Sequence, residues 1–239
     1  MISDIVPADA DHSSCLTSGK WSELFGLVKQ RLPPNSHVCD IGTRYGGLVH
    51  QFRKAGYDGW GVEYNFDAVR VASSLGVDSV HPGSISDIPT LAMKLGHRSV
   101  DAFLMDDVLE HLVHPATDLQ TLASVQRPGG LVVARQMNWR SLGRRLFGSR
   151  WYYLQPAAHM YFFDPDSAAR LFDKCGYDID SVHFPGWQAQ VRVAKAAVIR
   201  SVKTAMGRHL KPWTVGGRSM YLDRRKKMSD MFTVIARRK

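Results

Sequence analysis

Residues 38–47 read VCDIGTRYGG: an apolar run that meets Asp40 and then breaks into Gly42, Gly46 and Gly47. A strand leading into such a turn brings backbone against a ligand, because glycine imposes no Cβ. The spacing fits neither of the common phosphate-binding turns. Arg44 stands where the second glycine of a dinucleotide fingerprint would admit pyrophosphate, and no Gly-Lys-Ser/Thr follows to make a P-loop. The turn suits a nucleoside better than a chain of phosphates. Glu63, within GVEYN, comes about 20 residues later, where a carboxylate accepts both hydroxyls of an unphosphorylated ribose and repels a phosphate.

Two histidines could move a proton near neutral pH: His111 in DVLEH and His159 in AAHMYFF. For each, a structural role, capping or bracing a neighbouring segment, is the competing reading. Asp107, Glu110 and His111 stand at i, i+3 and i+4, which gives them one face if a helix starts early. Oxygen and imidazole ligands in that arrangement suit Mg²⁺ or Zn²⁺.

The elements that must carry these groups follow from periodicity. Trp21, Leu24, Phe25, Val28 and Leu32 have helical spacing, and Pro33 and Pro34 end that helix. Short apolar runs at 37–42, 60–64, 77–81, 100–105 and 130–137 read as strands. Helical patterns at 47–55, 66–75 and 116–126 lie between them. A further helix over 164–174 starts at Asp-Pro-Asp, and strands at 177–184 and 231–236 follow. Strands joined by helix-length crossovers make an α/β doubly wound, mainly parallel sheet with helices on both faces. Residues 1–20 read as a flexible leader and 21–239 as one domain. It carries a lid-like insert at 138–163 and a basic helical insert at 186–227.

In chain order the glycine turn and GVEYN are followed by MDDVLEHLVHP, RPGGLVV and a downstream HMYFF segment. Together these resemble the class I S-adenosylmethionine-dependent methyltransferases, specifically a bacterial small-molecule subgroup with D-x-G-x-x-x-G and V-L-E-H-L motifs. The resemblance covers roughly residues 36–180. It implies a Rossmann-like sheet of seven strands whose last strand is antiparallel, and S-adenosyl-L-methionine as cofactor. Asp40, Gly42, Thr43, Arg44 and Gly46 would cradle its methionine end. Glu63, with Tyr64 beside it, would bind the ribose, Ser84 and Ile85 would flank the adenine, and Met105 and Asp106 would line the wall near the sulfonium. Family members often carry an acid at the Ser84 position and a small residue at the Arg44 position. Arg44 could reach the cofactor carboxylate, enter the acceptor cavity, or mark a site that has lost the cofactor. The Asp107, Glu110, His111 trio is similar to the E-x-x-E-H metal site of ubiquinone-pathway O-methyltransferases. Because E-H recurs in members with no evident metal, none is required.

Charge separates the chain into two parts. Residues 1–185 hold 17 basic against 20 acidic side chains, and residues 186–239 hold 14 against 2. A uniformly basic nucleic-acid binder would not divide this way. Arg135, Arg140, Arg144, Arg145 and Arg150 alternate with Trp139, Phe147, Trp151, Tyr152 and Tyr153, which suits an anionic, sugar-like or lipid-headgroup acceptor. Trp187, Val191, Ala194, Val198, Val202 and Ala205 line one side of a helix that packs on the domain or lies on an anionic membrane through 187–211. The expected acceptor is a small molecule methylated at a hydroxyl. The alternatives are an RNA or protein methyltransferase guided by the tail and a degenerate cofactor-binding protein. No recognised RNA module or Asn-Pro-Pro-Tyr-type motif is present. No window approaches the roughly 20 apolar residues of a membrane span, and the first residues lack an export signal, so a cytoplasmic location is expected, peripheral to the inner membrane face if the basic helix binds lipid. Cys15, Cys39 and Cys175, odd in number and far apart, read as free thiols.

Overall fold

The computed structural model describes residues 14–17, 19–184 and 229–239. Seven strands form one sheet: β1 (His37–Ile41), β2 (Asp58–Glu63), β3 (Val80–Pro82), β4 (Val100–Asp106), β5 (Gln126–Met137), β6 (Tyr177–His183) and β7 (Met231–Arg238). Among them run α1 (Ser14–Thr17), α2 (Ser22–Lys29), α3 (Gly47–Lys54), α4 (Phe66–Ser74), α5 (Ile88–Lys94), α6 (Pro115–Ser124), α7 (Leu142–Phe147) and α8 (Pro165–Lys174). The strand order is β3-β2-β1-β4-β5-β7-β6. The first five strands run parallel to one another, and β7 is antiparallel to both β5 and β6.

Alternation along the strands makes two cores. Cys39, Ile41, Phe103, Met105, Val132 and Ala134 face one side, under Ile88 and Ala92 of α5, Leu119 and Leu122 of α6 and Phe172 of α8. Val38, Ala102, Leu104, Leu131 and Val133 face the other, under Leu24, Leu27 and Val28 of α2 and Leu48 and Phe52 of α3. Because helices cover both faces, the central strands read as continuous apolar runs. Helix starts follow local chemistry. Asn65 Oδ1 accepts from the Asp67 and Ala68 N–H groups ahead of α4, and Asp164 and Ser167 form a reciprocal capping box at α8.

Several expectations shift. Helix α5 was not expected; its seven residues, opened by Pro89, are too few for a visible period. The strand expected at 77–81 shortens to Val80–Pro82. Part of 140–160 is helical, as α7. Leu16 of α1 packs on the cluster of Val49, Ala72, Val77 and Val80. Cys39 and Cys175 are buried free thiols. Among the described residues no helix is long and apolar enough to cross a membrane. The basic insert at 186–227, with the amphipathic segment from Trp187, lies outside the described residues.

The chain runs outward from β1 to β2 and β3, then returns to place β4 on the other side of β1. Loops leaving β1 and β4 therefore diverge and leave a crevice at the carboxyl ends of these strands, where ligands of open α/β sheets bind.

Candidate functional site

That crevice is shaped first by backbone. Asp40 is buried near the end of β1. Gly42 follows with φ 68°, and a Cβ there would lie 2.9 Å from Val108 Cγ2, so only glycine lets the β1 loop close on the β4 loop. Gly46 caps α3 with φ 76°, where a Cβ would lie 2.8 Å from Val77 and Val80 side-chain carbons. Between them Arg44 has φ 53°, a left-handed conformation that costs a non-glycine residue on the order of 1 kcal/mol. A hydrogen bond offsets this cost: the Arg44 N–H donates to Glu63 Oε2 at 2.7 Å.

Glu63 closes β2 and is 8% exposed. Its other oxygen, Oε1, accepts from the Asn65 N–H at 2.8 Å. One backbone donor on each oxygen fixes the carboxylate plane and leaves each oxygen able to accept another bond. The Arg44 side chain is exposed, its guanidinium 5.7 Å from the centre of the Tyr45 ring. Arg44 thus enters the Glu63 site by its backbone. Thr43 is buried, and its Oγ1 has no hydrogen-bond partner among the described residues. Tyr64 stands 65% exposed beside Glu63.

Farther out, Ser84 begins the turn before α5. Asp87 Oδ2 accepts from its N–H (2.8 Å) and its Oγ (2.9 Å), bonds that lower the Asp87 pKa. An acid is therefore present at the Ser84 corner, contributed three residues later than the family pattern puts it. Ile85 is 4% exposed and packed in the core beside Ile88.

At the β4 end one side chain is buried and the next is ion-paired. Met105 is wholly inside the core and presents no side-chain surface to the crevice. Asp106 is held by Arg135 of β5 through Nε–Oδ1 at 2.7 Å and Nη2–Oδ2 at 2.8 Å, and by the Trp21 indole N–H at 3.1 Å. It is a structural anchor between β4, β5 and the start of α2. Asp107 takes φ 55° and donates its N–H to the Arg135 carbonyl. Leu109–His111 form a 3-10 turn, and α6 starts only at Pro115. No early helix gathers Asp107, Glu110 and His111. The ligand atoms that do lie within 4.8 Å of one another come from Glu110, His111 and His159.

His111 and His159 meet across 48 residues of sequence, rings edge to face with centroids 4.9 Å apart. His111 Nδ1 lies 2.8 Å from the Ala158 carbonyl and His159 Nδ1 lies 3.0 Å from the Tyr153 carbonyl. A carbonyl only accepts, so each Nδ1 carries its proton and each Nε2 is the basic atom. Burial, then the neighbouring His111, lower the pKa of His159 and favour the neutral ring, against a smaller opposing effect of the Tyr153 bond. Glu110 is 2% exposed, and its Oε2 has no hydrogen-bond partner among the described residues. Burial first, then Asp107 and Asp106, push its pKa up to about 8. These three residues could hold a proton or a divalent cation.

The segment at 138–163 is fastened over this cluster. The Met160 and Tyr161 N–H groups donate to the Glu110 carbonyl, and the Trp139 N–H donates to the Phe163 carbonyl. Trp139 packs on Phe162 at 5.1 Å and takes the Arg144 guanidinium at 4.2 Å. The phenol of Tyr153 is held protonated by burial, then by the charges of Asp107 and Asp230. Of the five arginines expected to face an anion, Arg135 is taken by Asp106. Arg140 pairs with Asp164 (2.8 Å) and Asp166 (2.5 Å). Arg145 and Arg150 are exposed. The sequence placed Glu110 in a metal trio with Asp107 and put Arg135 and Tyr153 in a basic, aromatic segment facing the acceptor; the structure instead sets Glu110 beside His159, Arg135 on Asp106, and the Tyr153 carbonyl on His159 Nδ1.

A family model described as "Methyltransferase domain" matches residues 18–182. No curated protein matches the chain. Solved structures share the fold at low identity. An S-adenosylmethionine-dependent methyltransferase from Archaeoglobus fulgidus is 15% identical with TM-score 0.58, over 92% of this chain and 95% of that one. Magnesium protoporphyrin IX methyltransferase from Synechocystis PCC 6803, solved with bound S-adenosylhomocysteine, is 14% identical with TM-score 0.58, over 95% and 84%. The [4+2]-cyclase SpnF is 14% identical with TM-score 0.59, over 90% and 80%.

Proposed function

The chain belongs to the methyltransferase-domain family, and from that premise we propose that it transfers a methyl group from S-adenosylmethionine to an oxygen of a small-molecule acceptor. The observation that carries the cofactor half is Glu63. A carboxylate held by two backbone N–H groups at the end of β2, with one free acceptor position on each oxygen, matches a ribose diol and opposes a 2′-phosphate. Gly42 and Gly46 let the turn after β1 close tightly on Val108, Val77 and Val80, the buried Thr43 Oγ1 offers a hydrogen bond, and Asp87 brings an acid to the adenine corner in place of Ser84. The Arg44 side chain stands at the surface over Tyr45, which argues against a degenerate site.

The cofactor supplies a methyl group already activated on a positive sulfur, so the protein's work is alignment, exclusion of water and removal of one proton. His159 is buried and neutral, with Nδ1–H fixed on the Tyr153 carbonyl and Nε2 available to take a hydroxyl proton. His111, edge-on to it, orients that ring and shares the charge that develops. The aromatic segment around Trp139, Trp151 and Phe162 keeps water from the acceptor. Exposed Val113, Met160 and Tyr161 beside it, with Arg145 and Arg150, favour an acceptor with an apolar body and an anionic or sugar-like head. The basic tail adds peripheral contact with an anionic membrane, on the cytoplasmic side.

Fold alone does not choose the acceptor, since one frame serves a porphyrin methyltransferase and a cyclase. Two measurements test the proposal. Calorimetry with S-adenosylhomocysteine should give one equivalent of binding; none at millimolar ligand overturns the enzymatic reading. With a ¹³C-methyl donor and a panel of hydroxylated and amine acceptors, the label should appear as an O-methyl resonance, and an N- or C-methyl product refutes the oxygen assignment.

A further inference from the structure

At the opposite edge of the sheet from the crevice, three side chains from three segments converge without a role in the chemistry above. His37 opens β1, Asp58 opens β2 as its register partner, and His97 lies in the turn after α5. His37 Nδ1 is 3.1 Å from Asp58 Oδ2, and His97 Nδ1 is 3.7 Å from the same oxygen. We propose that His37, Asp58 and His97 form a binding site for a divalent transition cation of the Zn²⁺ class at the amino edge of the sheet.

Geometry carries the assignment. One ligand atom from each residue lies within 4.8 Å of the others. Tetrahedral zinc with bonds of about 2.0–2.2 Å sets its ligand atoms roughly 3.4 Å apart, so small ring rotations close the set. Two imidazole nitrogens aimed at one carboxylate oxygen are poorly served by protons alone, because 3.7 Å is beyond a hydrogen bond. A cation between them satisfies all three. Two nitrogens and a carboxylate oxygen suit Zn²⁺ better than Mg²⁺ or Ca²⁺, which prefer all-oxygen shells. The side chains of His37 and Asp58 are 38% and 43% exposed, which leaves a fourth position to water.

The scaffold is already set. The His37 N–H is held by Asp101 Oδ2 at 2.7 Å, the Asp58 N–H by the Ser36 carbonyl, and the His97 ring stacks on Trp60 with centroids 5.8 Å apart. The competing cation is Arg53, 3.9 Å from Asp58 Oδ1, on the oxygen the metal does not use. β1 is five residues long, about 13 Å of strand at 3.3 Å per step, so this site is remote from the methyl-transfer cluster and would act by pinning β1, β2 and the α5 turn together.

Zinc chloride titrated into the full chain should bind at this site and raise the thermal unfolding midpoint. Asp58→Asn and His97→Gln should each weaken that binding by more than about tenfold and remove the midpoint shift, whereas a His111→Gln/His159→Gln double variant should leave both intact. His37→Gln, at a half-buried position, repeats the test if His97→Gln does not fold. Absence of zinc binding, or binding lost only in the His111/His159 variant, overturns the proposal.

Discussion

The two halves of the crevice are built by different means. On the cofactor side, residues 40–65 act largely through backbone: a left-handed Arg44, glycines at 42 and 46, and two N–H groups on Glu63, all within 26 consecutive residues. On the side proposed to meet the acceptor, side chains from distant segments come together, Glu110 and His111 from the β4 exit and His159 from the segment after α7. A ligand common to a fold is met by geometry that local sequence encodes. A ligand peculiar to one protein is met by side chains that only the fold brings together.

Substitutions can break or sharpen this contrast. The largest effect is expected at the histidines: replacing His159 with Ala should lower kcat by about 10² to 10⁴, the span typical of a general base, while S-adenosylhomocysteine affinity stays unchanged. A matching fall in cofactor affinity would dissolve the distinction between the halves.

Next is pH. Glu110 is raised from 4.5 to about 8, whereas in the unfolded chain it releases its proton near 4.5. The stability it contributes is whole below pH 4.5, is lost progressively as pH rises to about 8, and stays lost above that; the sum is on the order of a few kcal/mol. Glu110→Gln should flatten the unfolding midpoint between pH 5 and 8 and make the variant the more stable protein at pH 8. A wild-type profile already flat there would contradict the assignment.

On the cofactor side, Glu63→Ala removes charged hydrogen bonds worth roughly 1.5–3 kcal/mol and should weaken S-adenosylhomocysteine binding by about 10- to 100-fold by calorimetry. Unchanged affinity would remove Glu63 from the ribose. The smallest effect is the most discriminating. Arg44→Gly relieves left-handed strain and keeps the N–H that Glu63 needs, so it should alter stability by no more than about 1 kcal/mol and leave cofactor binding intact. A tenfold loss of affinity would show that the guanidinium itself participates.

Legibility in the sequence follows the same division. The strand and helix sequence was readable because buried parallel strands are continuous apolar runs and α3, α4, α6 and α8 have caps or prolines at their starts. The loss of α5 to the reading has a plain cause: seven residues make barely two turns. Glu63 falls at the end of β2, as its spacing implied, because its distance from the glycine turn is fixed by one crossover. The trio of Asp107, Glu110 and His111 was misplaced because spacing presumes a helix, and the chain there forms a 3-10 turn after a left-handed Asp107.

By itself, then, the sequence determined the doubly wound sheet, its switch point and the acid at the end of β2, all consequences of short-range periodicity and turn chemistry. Tertiary structure decided which charges are spent and which are left to act. Arginines with no acid nearby in sequence are paired by Asp106, Asp164 and Asp166. Histidines at 111 and 159 become one pair, and His37, Asp58 and His97 become one cluster. The reason is physical: a carboxylate or imidazole acts over a few ångströms, and only packing of segments far apart in the chain sets distances that small.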